Sequence, residues 1–359
     1  MLLSIHSILL TTAILAGQLI KLPIAVNSGS TLLDLVVGGL CLFGIWKSKF
    51  QLNKPPIYIL TGFGFVVITF ISLLLTPLNL SNPERLISFL YILRFGIYLL
   101  LGWLIYQGSI PLKPKIPQVL LESGIGLAIL GLLQLIFLPN LGFLISQGWD
   151  PHFFRTASTF LDPNFLGAYL VLTLLVILKI KNDKIFFVIT YLALLTTFSR
   201  GAYLAFLVSF GIFSIVKKSF RLGVITILLF TGLMLGFFTY EHLVATPRGV
   251  DRTKSAEFRL DSWQQGLHMF EKHPVLGVGF NAYRFALKEY NLADEQFIGS
   301  HGATSNDSSL LFVAATTGSL GLLSYLFWLG TCCWYGWKKN PVLLAGLLGL
   351  IAQSFFANT

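Results

Sequence analysis

Six polar side chains hold most of the chemistry this sequence can offer: Arg155, Arg200, Arg259, Arg284, His301 and Asp307. Arginine presents a planar fork of N–H donors that grips phosphate oxygens in pairs. Histidine and aspartate move protons. Several phosphate-gripping groups with one or two acid–base groups suit a phosphorylated substrate whose reaction develops negative charge and transfers one proton. No nucleotide motif is present, neither a P-loop (GxxxxGK followed by Ser or Thr) nor a GxGxxG after a strand. The remaining histidines show no ligand spacing, and Cys41, Cys332 and Cys333 lie inside apolar runs as core thiols. No metal and no other cofactor is expected.

The elements that position these groups are membrane spans. Of 359 residues, 55% are hydrophobic and 11% charged, against roughly 25% charged in a soluble domain. The mean hydropathy is +0.78. This composition excludes a soluble globule and a disordered chain. A span takes about 20 apolar residues, and such runs lie near 4–22, 30–46, 57–76, 86–106, 117–138, 162–179, 185–199, 201–216, 222–240, 307–335 and 341–357. The N-terminal run lacks the basic start of a signal peptide and reads as a retained first span. The chain stops at Thr359 directly after an apolar run, as a shortened form of a longer chain would.

Basic residues occupy every second loop. Lys47, Lys49 and Lys54, then Lys113 and Lys115, then Lys179, Lys181 and Lys184, then Lys217, Lys218 and Arg221, then Lys338 and Lys339 make thirteen basic residues against one acid, Asp183. By the positive-inside rule these loops are cytoplasmic. The net charge of +10 therefore belongs to membrane orientation and not to nucleic acid. The rule places 139–161, position 200 and 241–306 outside, and with them five of the six candidate groups; the sixth, Asp307, opens the tenth span at its outer end. Three regions follow: a nine-span membrane region over 1–240, an extracytoplasmic loop over 241–306, and C-terminal spans over 307–359. Two stretches of that loop are amphipathic. Leu260, Trp263, Leu267 and Phe270 align on one, and Phe280, Tyr283, Leu287 and Tyr290 on the other. Each stripe suits either the membrane surface or packing within the protein; if the second lies on the membrane, Asn281, Arg284 and Lys288 face up.

Ionisable residues in or beside the membrane mark function by default. Arg200 is the only charge from Ile185 to Val216, so it tips an outer hairpin; an interfacial anchor is the plainer alternative. Arg94 and Glu122, inside the fourth and fifth spans, are expected to pair. Asp162 or Asn164 can cap the sixth span, and Asp307 can cap the tenth or serve as an acid–base group. A set of outer arginines beside the membrane suits a lipid-linked phosphate. A transporter would carry charges near the midplane of several helices and internal repeats; a scaffold would not explain six polar groups on one side.

Four segments resemble the O-antigen ligase and polymerase family of bacterial envelope enzymes: FRTASTFLDPNFLGAYL, TTFSRGAYLAF, FRLDSWQQGLHMFEKHPVLGVGFNAYRF and SNDSSLLFVAATTGSLGLL, together covering about Phe154 to Leu323. The resemblance implies an all-α polytopic membrane protein, GT-C-like, with about 11–12 transmembrane helices and one large extracytoplasmic loop. It implies a metal- and nucleotide-independent glycosyltransferase of the bacterial cytoplasmic (inner) membrane, with its active site facing the periplasm. Its donor would be a polyprenyl pyrophosphate-linked glycan, and its acceptor a lipid-core sugar, a glycan or a protein. Ligase and polymerase both fit, and a lipid-linked glycan transporter is the alternative of another class. By resemblance Arg200 and Arg259 match the family's essential arginines. The ligases begin a motif with His at a fixed distance before Gly318-x-x-Gly321; Asp307 stands there, and His301 is the nearest histidine. Catalytic roles fall to Arg200, Arg259, His301 and Asp307, and substrate binding to Arg155, Asn164 and Arg284.

The orientation is testable by labelling. Glu295→Cys should react with an impermeant thiol reagent added outside, and Asn182→Cys should not; the opposite pattern overturns the orientation.

Overall fold

The computed structural model describes residues 4–25, 28–149, 152–181, 183–246 and 252–357. Position 182, residues 247–251 of the long loop and Thr359 lie outside the described residues. The chain is an all-α polytopic membrane protein, and each of the eleven apolar runs forms a helix. In order these are α1 (Ile5–Ala16), a hairpin of β1 (Lys21–Ala25) and β2 (Ser28–Thr31), α2 (Leu32–Lys47), α3 (Ile57–Leu74), α4 (Asn82–Gln107), α5 (Ile116–Phe137), α6 (Pro163–Val176), α7 (Lys184–Thr196), α8 (Arg200–Val216) and α9 (Phe220–Tyr240). The long loop holds α10 (Arg252–Lys272), α11 (Tyr283–Glu289) and α12 (Glu295–Ile298), before α13 (Ser309–Lys339) and α14 (Pro341–Ser354).

Among the described residues, six helical stretches are long and apolar enough to cross a membrane: Ile57–Leu74, Asn82–Gln107, Lys113–Phe137, Pro163–Ile180, Phe220–Ala245 and Gly302–Lys339. α1, α7, α8 and α14 are apolar but shorter. Helix starts are set by side chains that accept first-turn N–H groups, which otherwise lack partners. Ser4, Asp162, Asp183, Ser199, Ser219 and Asn340 do this for α1, α6, α7, α8, α9 and α14.

The helices gather into two compact units: Met1–Val119 with Ser262–Cys332, and Leu120–Asp261 with Cys333–Thr359. In the second unit, α8 runs along α6 and α14 with small residues at the contacts. A Cβ added at Gly349 would fall 1.9 Å from Ser209 Oγ, and one at Gly167 2.4 Å from the Ala202 Cβ. Such contacts let helix backbones approach closely in a membrane.

In the first unit the decisive feature is a break in α13. Gly318 adopts φ 65° and ψ −166°, a conformation open essentially to glycine alone. The turn cannot continue the helix, so Ser319 and Leu320 lose their usual acceptors, Ala315 and Thr316. Residues 274–279 replace both sides of those two bonds. Ser319 N donates to Pro274 O (2.7 Å) and Leu320 N to Val275 O (3.3 Å), while Val278 N and Gly279 N donate to Ala315 O and Thr316 O (3.0 Å each). Ser72 Oγ reaches the same junction, 2.7 Å from both Leu276 O and Thr316 O. No side chain fits there: a Cβ at Gly318 would lie 2.3 Å from the Val275 carbonyl, and one at Gly277 2.4 Å from the Thr316 carbonyl carbon. The Gly-x-Gly and Gly-x-x-Gly patterns of the sequence are thus two halves of one joint.

One expectation is corrected, and one left between two readings is decided. Arg94 pairs with Asp34 (2.8 Å), not with Glu122. Asp34 is the third residue of α2 and closes its capping box with Thr31, a local role that hid its use as a counter-ion. The second amphipathic stretch packs inward: Tyr283 and Leu287 are buried, and Phe280 and Tyr290 pack against the same cluster. Arg284 is correspondingly half-buried and donates to the Ser300 carbonyl. On α10, Leu260 and Leu267 stay exposed.

Gly318→Ala should lower the thermal midpoint of the detergent-solubilised protein sharply. The backbone conformation alone costs roughly 1–3 kcal/mol for a non-glycine residue, and the steric overlap adds to it. Gly330→Ala in the same helix, where a Cβ meets nothing within 4 Å, should melt like the wild type.

Candidate functional site

The second unit assembles three of the expected residues around the turn between α7 and α8. Thr197, Phe198 and Ser199 form this turn, with Phe198 at φ 47°. Phe198 stacks on Tyr240 with ring centroids 4.0 Å apart, and the Tyr240 hydroxyl donates to Phe153 O (2.7 Å). The segment that follows Phe153 lies along the turn: Arg155 Nε donates to Thr197 O (2.9 Å) and Thr156 N to Thr196 O (2.9 Å). Arg155 therefore braces the turn from which Arg200 starts.

Ser199 is the N-cap of α8. Its hydroxyl accepts from Ala202 N (3.3 Å) and donates to Asn164 Oδ1 (2.7 Å). Asn164 is not a cap, because Asp162 accepts from the N–H groups of Asn164 and Phe165. The Asn164 side chain instead fixes the cap of the neighbouring helix. Its backbone carbonyl accepts from Gln353 Nε2 on α14 (3.1 Å). Gln353 is fully buried, and its Oε1 has no hydrogen-bond donor among the described residues. Sequence reasoning passed over Gln353, although an amide in an otherwise apolar final span was a signal. It also passed over Ser199, whose place directly before Arg200 at a helix start suits an N-cap.

Arg200 emerges from this frame exposed, with its guanidinium 5.6 Å from the centre of the Phe237 ring. It is the first residue of α8, beside N–H groups whose dipoles favour an anion. An apolar cavity of about 380 Å³, lined in part by Phe154, Leu195, Phe198 and Tyr240, opens beside the turn. Arg259, on α10, is half-buried and makes no hydrogen bond or ion pair among the described residues. Burial, and secondarily the charge of Arg155, push the His152 imidazole down to about 3, so it stays neutral at ordinary pH.

The first unit gathers the other candidates around Ser262, Tyr283 and Asn306. Asn306 is buried and its Nδ2 donates to the Tyr283 hydroxyl (2.9 Å) and to Ser262 O. Asp307 N donates to Ser262 Oγ (3.1 Å). Ser308 stands at the cap position of α13, its Oγ 3.5 Å from Leu311 N, and its own N–H is held by Asn306 Oδ1 (2.9 Å). Burial pushes the Tyr283 hydroxyl up to about 12, so it remains a neutral hydrogen-bonding hub. Arg284 donates through Nη2 to the carbonyl of Ser300, the neighbour of His301. Its Nε is buried without an acceptor among the described residues, and burial lowers its proton affinity.

Ser199→Ala should cost about 1 kcal/mol, the usual loss for an N-cap. Asn164→Ala should cost about as much by removing the bond that holds the cap. Because both act on one interaction, the double variant should melt well above the additive expectation; strict additivity would show that the two side chains are not coupled.

No curated protein matches the chain. Residues 185–326, from α7 into α13, match a family model described as O-Antigen ligase; they include Arg200, Arg259, Arg284, His301, Asp307 and both halves of the glycine joint. Over these residues the chain is similar to the O-antigen ligase family.

Proposed function

We propose that this protein transfers a glycan from a polyprenyl pyrophosphate carrier to an acceptor on the outer face of the bacterial cytoplasmic membrane. The observation that carries the reading is Arg200: an exposed guanidinium at a capped helix start, inside the family-matched region. Arg200 and Arg259 hold the pyrophosphate and offset the charge that grows on it as the glycosidic bond breaks. In a site of low dielectric, such preorganised donors contribute more than they would in water. Two guanidinium groups take the electrostatic part that a divalent metal plays elsewhere. The apolar cavity beside the α7–α8 turn suits the isoprenoid chain.

The other roles rest on the sequence. His301 or Asp307 orients or deprotonates the acceptor hydroxyl. Arg155, Asn164 and Arg284 belong to substrate binding, Asn164 through the amide nitrogen that its bond to Ser199 leaves uncommitted. The acceptor is a lipid-core sugar in a ligase and a growing glycan in a polymerase.

The purified protein, supplied in EDTA with a polyprenyl pyrophosphate oligosaccharide, should transfer sugar. Growth of the glycan without added acceptor marks a polymerase, and transfer only with a lipid acceptor marks a ligase. Arg200→Lys and Arg259→Lys should each lose about 2–4 kcal/mol of transition-state stabilisation, because lysine lacks the planar fork. The double variant should lose much less than the sum. Wild-type turnover in Arg200→Lys would leave Arg200 as an interfacial anchor. Activity abolished by EDTA and restored by Mg²⁺ would overturn the metal-free chemistry.

A further inference from the structure

The first unit holds a cavity with charged residues in its wall, outside the family-matched residues. It has a volume of about 160 Å³ and is walled by α2, α4 and the β1–β2 hairpin. Its polar side is Asp34 and Arg94. Asp34 is saturated: Oδ2 accepts from Thr31 N (2.8 Å), Thr31 Oγ1 (3.0 Å) and Arg94 Nη2 (2.8 Å), and Oδ1 from the Tyr98 hydroxyl (3.1 Å). Arg94 is not. Its Nη2 serves Asp34 and Gly29 O (3.0 Å), while Nε and Nη1 donate to nothing among the described residues. The side chain is about one-third exposed and lines the cavity.

A second cation packs against Gly29, one of the cavity's wall residues. Lys21 lies across Gly29, with its Cε 2.9 Å from where a Gly29 Cβ would be. The proton affinity of Lys21 is lowered, first by burial and then by the charge of Arg94. Arg94 thus feels a second cation beside the cavity wall, and an anion in the cavity would relieve their repulsion. Around this centre the wall is apolar, and two of its residues, Leu35 and Leu93, are about half exposed (50% and 45%). In a membrane-spanning chain such residues face lipid.

We propose that this cavity binds the phosphate of an acidic lipid, the phosphate against Arg94 and Lys21 and the acyl chains leaving past Leu35 and Leu93 into the bilayer. The volume admits a phosphate. The rim favours a lipid over a free phosphate, because a soluble anion gains nothing from an apolar mouth.

The test uses the full chain in phosphatidylcholine nanodiscs containing phosphatidic acid, without any glycan donor, so that it is independent of glycosyl transfer. Native mass spectrometry should show one phosphatidic acid retained in preference to phosphatidylcholine, and inorganic pyrophosphate should not displace it. Lys21→Met leaves the Arg94–Asp34 pair intact and should weaken retention about fivefold, the effect of one cation near a headgroup; Lys21→Arg should restore it. Leu35→Trp, which crowds the mouth without touching a charge, should also reduce it. Equal retention of both lipids, or unchanged retention in both Lys21→Met and Leu35→Trp, would reduce the cluster to a structural ion pair. Pyrophosphate binding without lipid preference would overturn the lipid assignment.

Discussion

A backbone amide inside a bilayer has no water to turn to, and the break in α13 meets that constraint directly. Four main-chain groups lose their helical partners at Gly318, and all four find new ones in residues 274–279. The exchange works only because neither Gly318 nor Gly277 carries a Cβ. It ties the long loop to a membrane span by backbone geometry, and α11 then buries Tyr283, Ala286 and Leu287 in the core beneath that loop. The Ser262–Tyr283–Asn306 hub, with Asp307 attached, rests on this junction. Changes at the glycines therefore act on the position of this hub.

The second unit solves a different problem, that of presenting one arginine at a fixed point on a short hairpin. Arg200 is held through its neighbours. Ser199 caps the helix, Asn164 fixes Ser199, Gln353 reaches the Asn164 backbone, and Arg155 grips the preceding carbonyl. Each of these bonds is worth only about 1 kcal/mol. Together they join α6, α8 and α14 through polar atoms where apolar packing alone would leave a helix free to slide by a fraction of a turn.

The fold was readable where the signal was long and redundant. Thirteen basic residues in alternate loops and eleven apolar runs each report on the same alternation of spans, and the hairpin at Arg200 follows from a lone charge in a 32-residue apolar stretch. Pairing was not readable. Arg94 had two acids inside other spans to choose from, Asp34 and Glu122, and separation in sequence does not reveal that the hairpin folds Asp34 towards α4. The stripe on α11 gave the correct face but not its cover, since a periodic pattern looks the same against lipid and against protein. The glycine patterns were visible as patterns, but their complementarity exists only in three dimensions. Gln353 was hidden by its surroundings, because a single amide barely lowers the hydropathy of a span.

The joint at Gly318 also determines how this unit comes apart. In an ordinary span, hydrogen-bond partners lie within the helix, so an adjoining loop can open without disturbing it. Here the amides of Ser319 and Leu320 are bonded to the loop. Opening the loop exposes unpaired groups at the helix break, and melting the helix there strips the loop of its partners. Loop and span therefore belong to one cooperative unit, and the amide protons of Ser319 and Leu320 exchange with solvent at the rate at which the loop lets go.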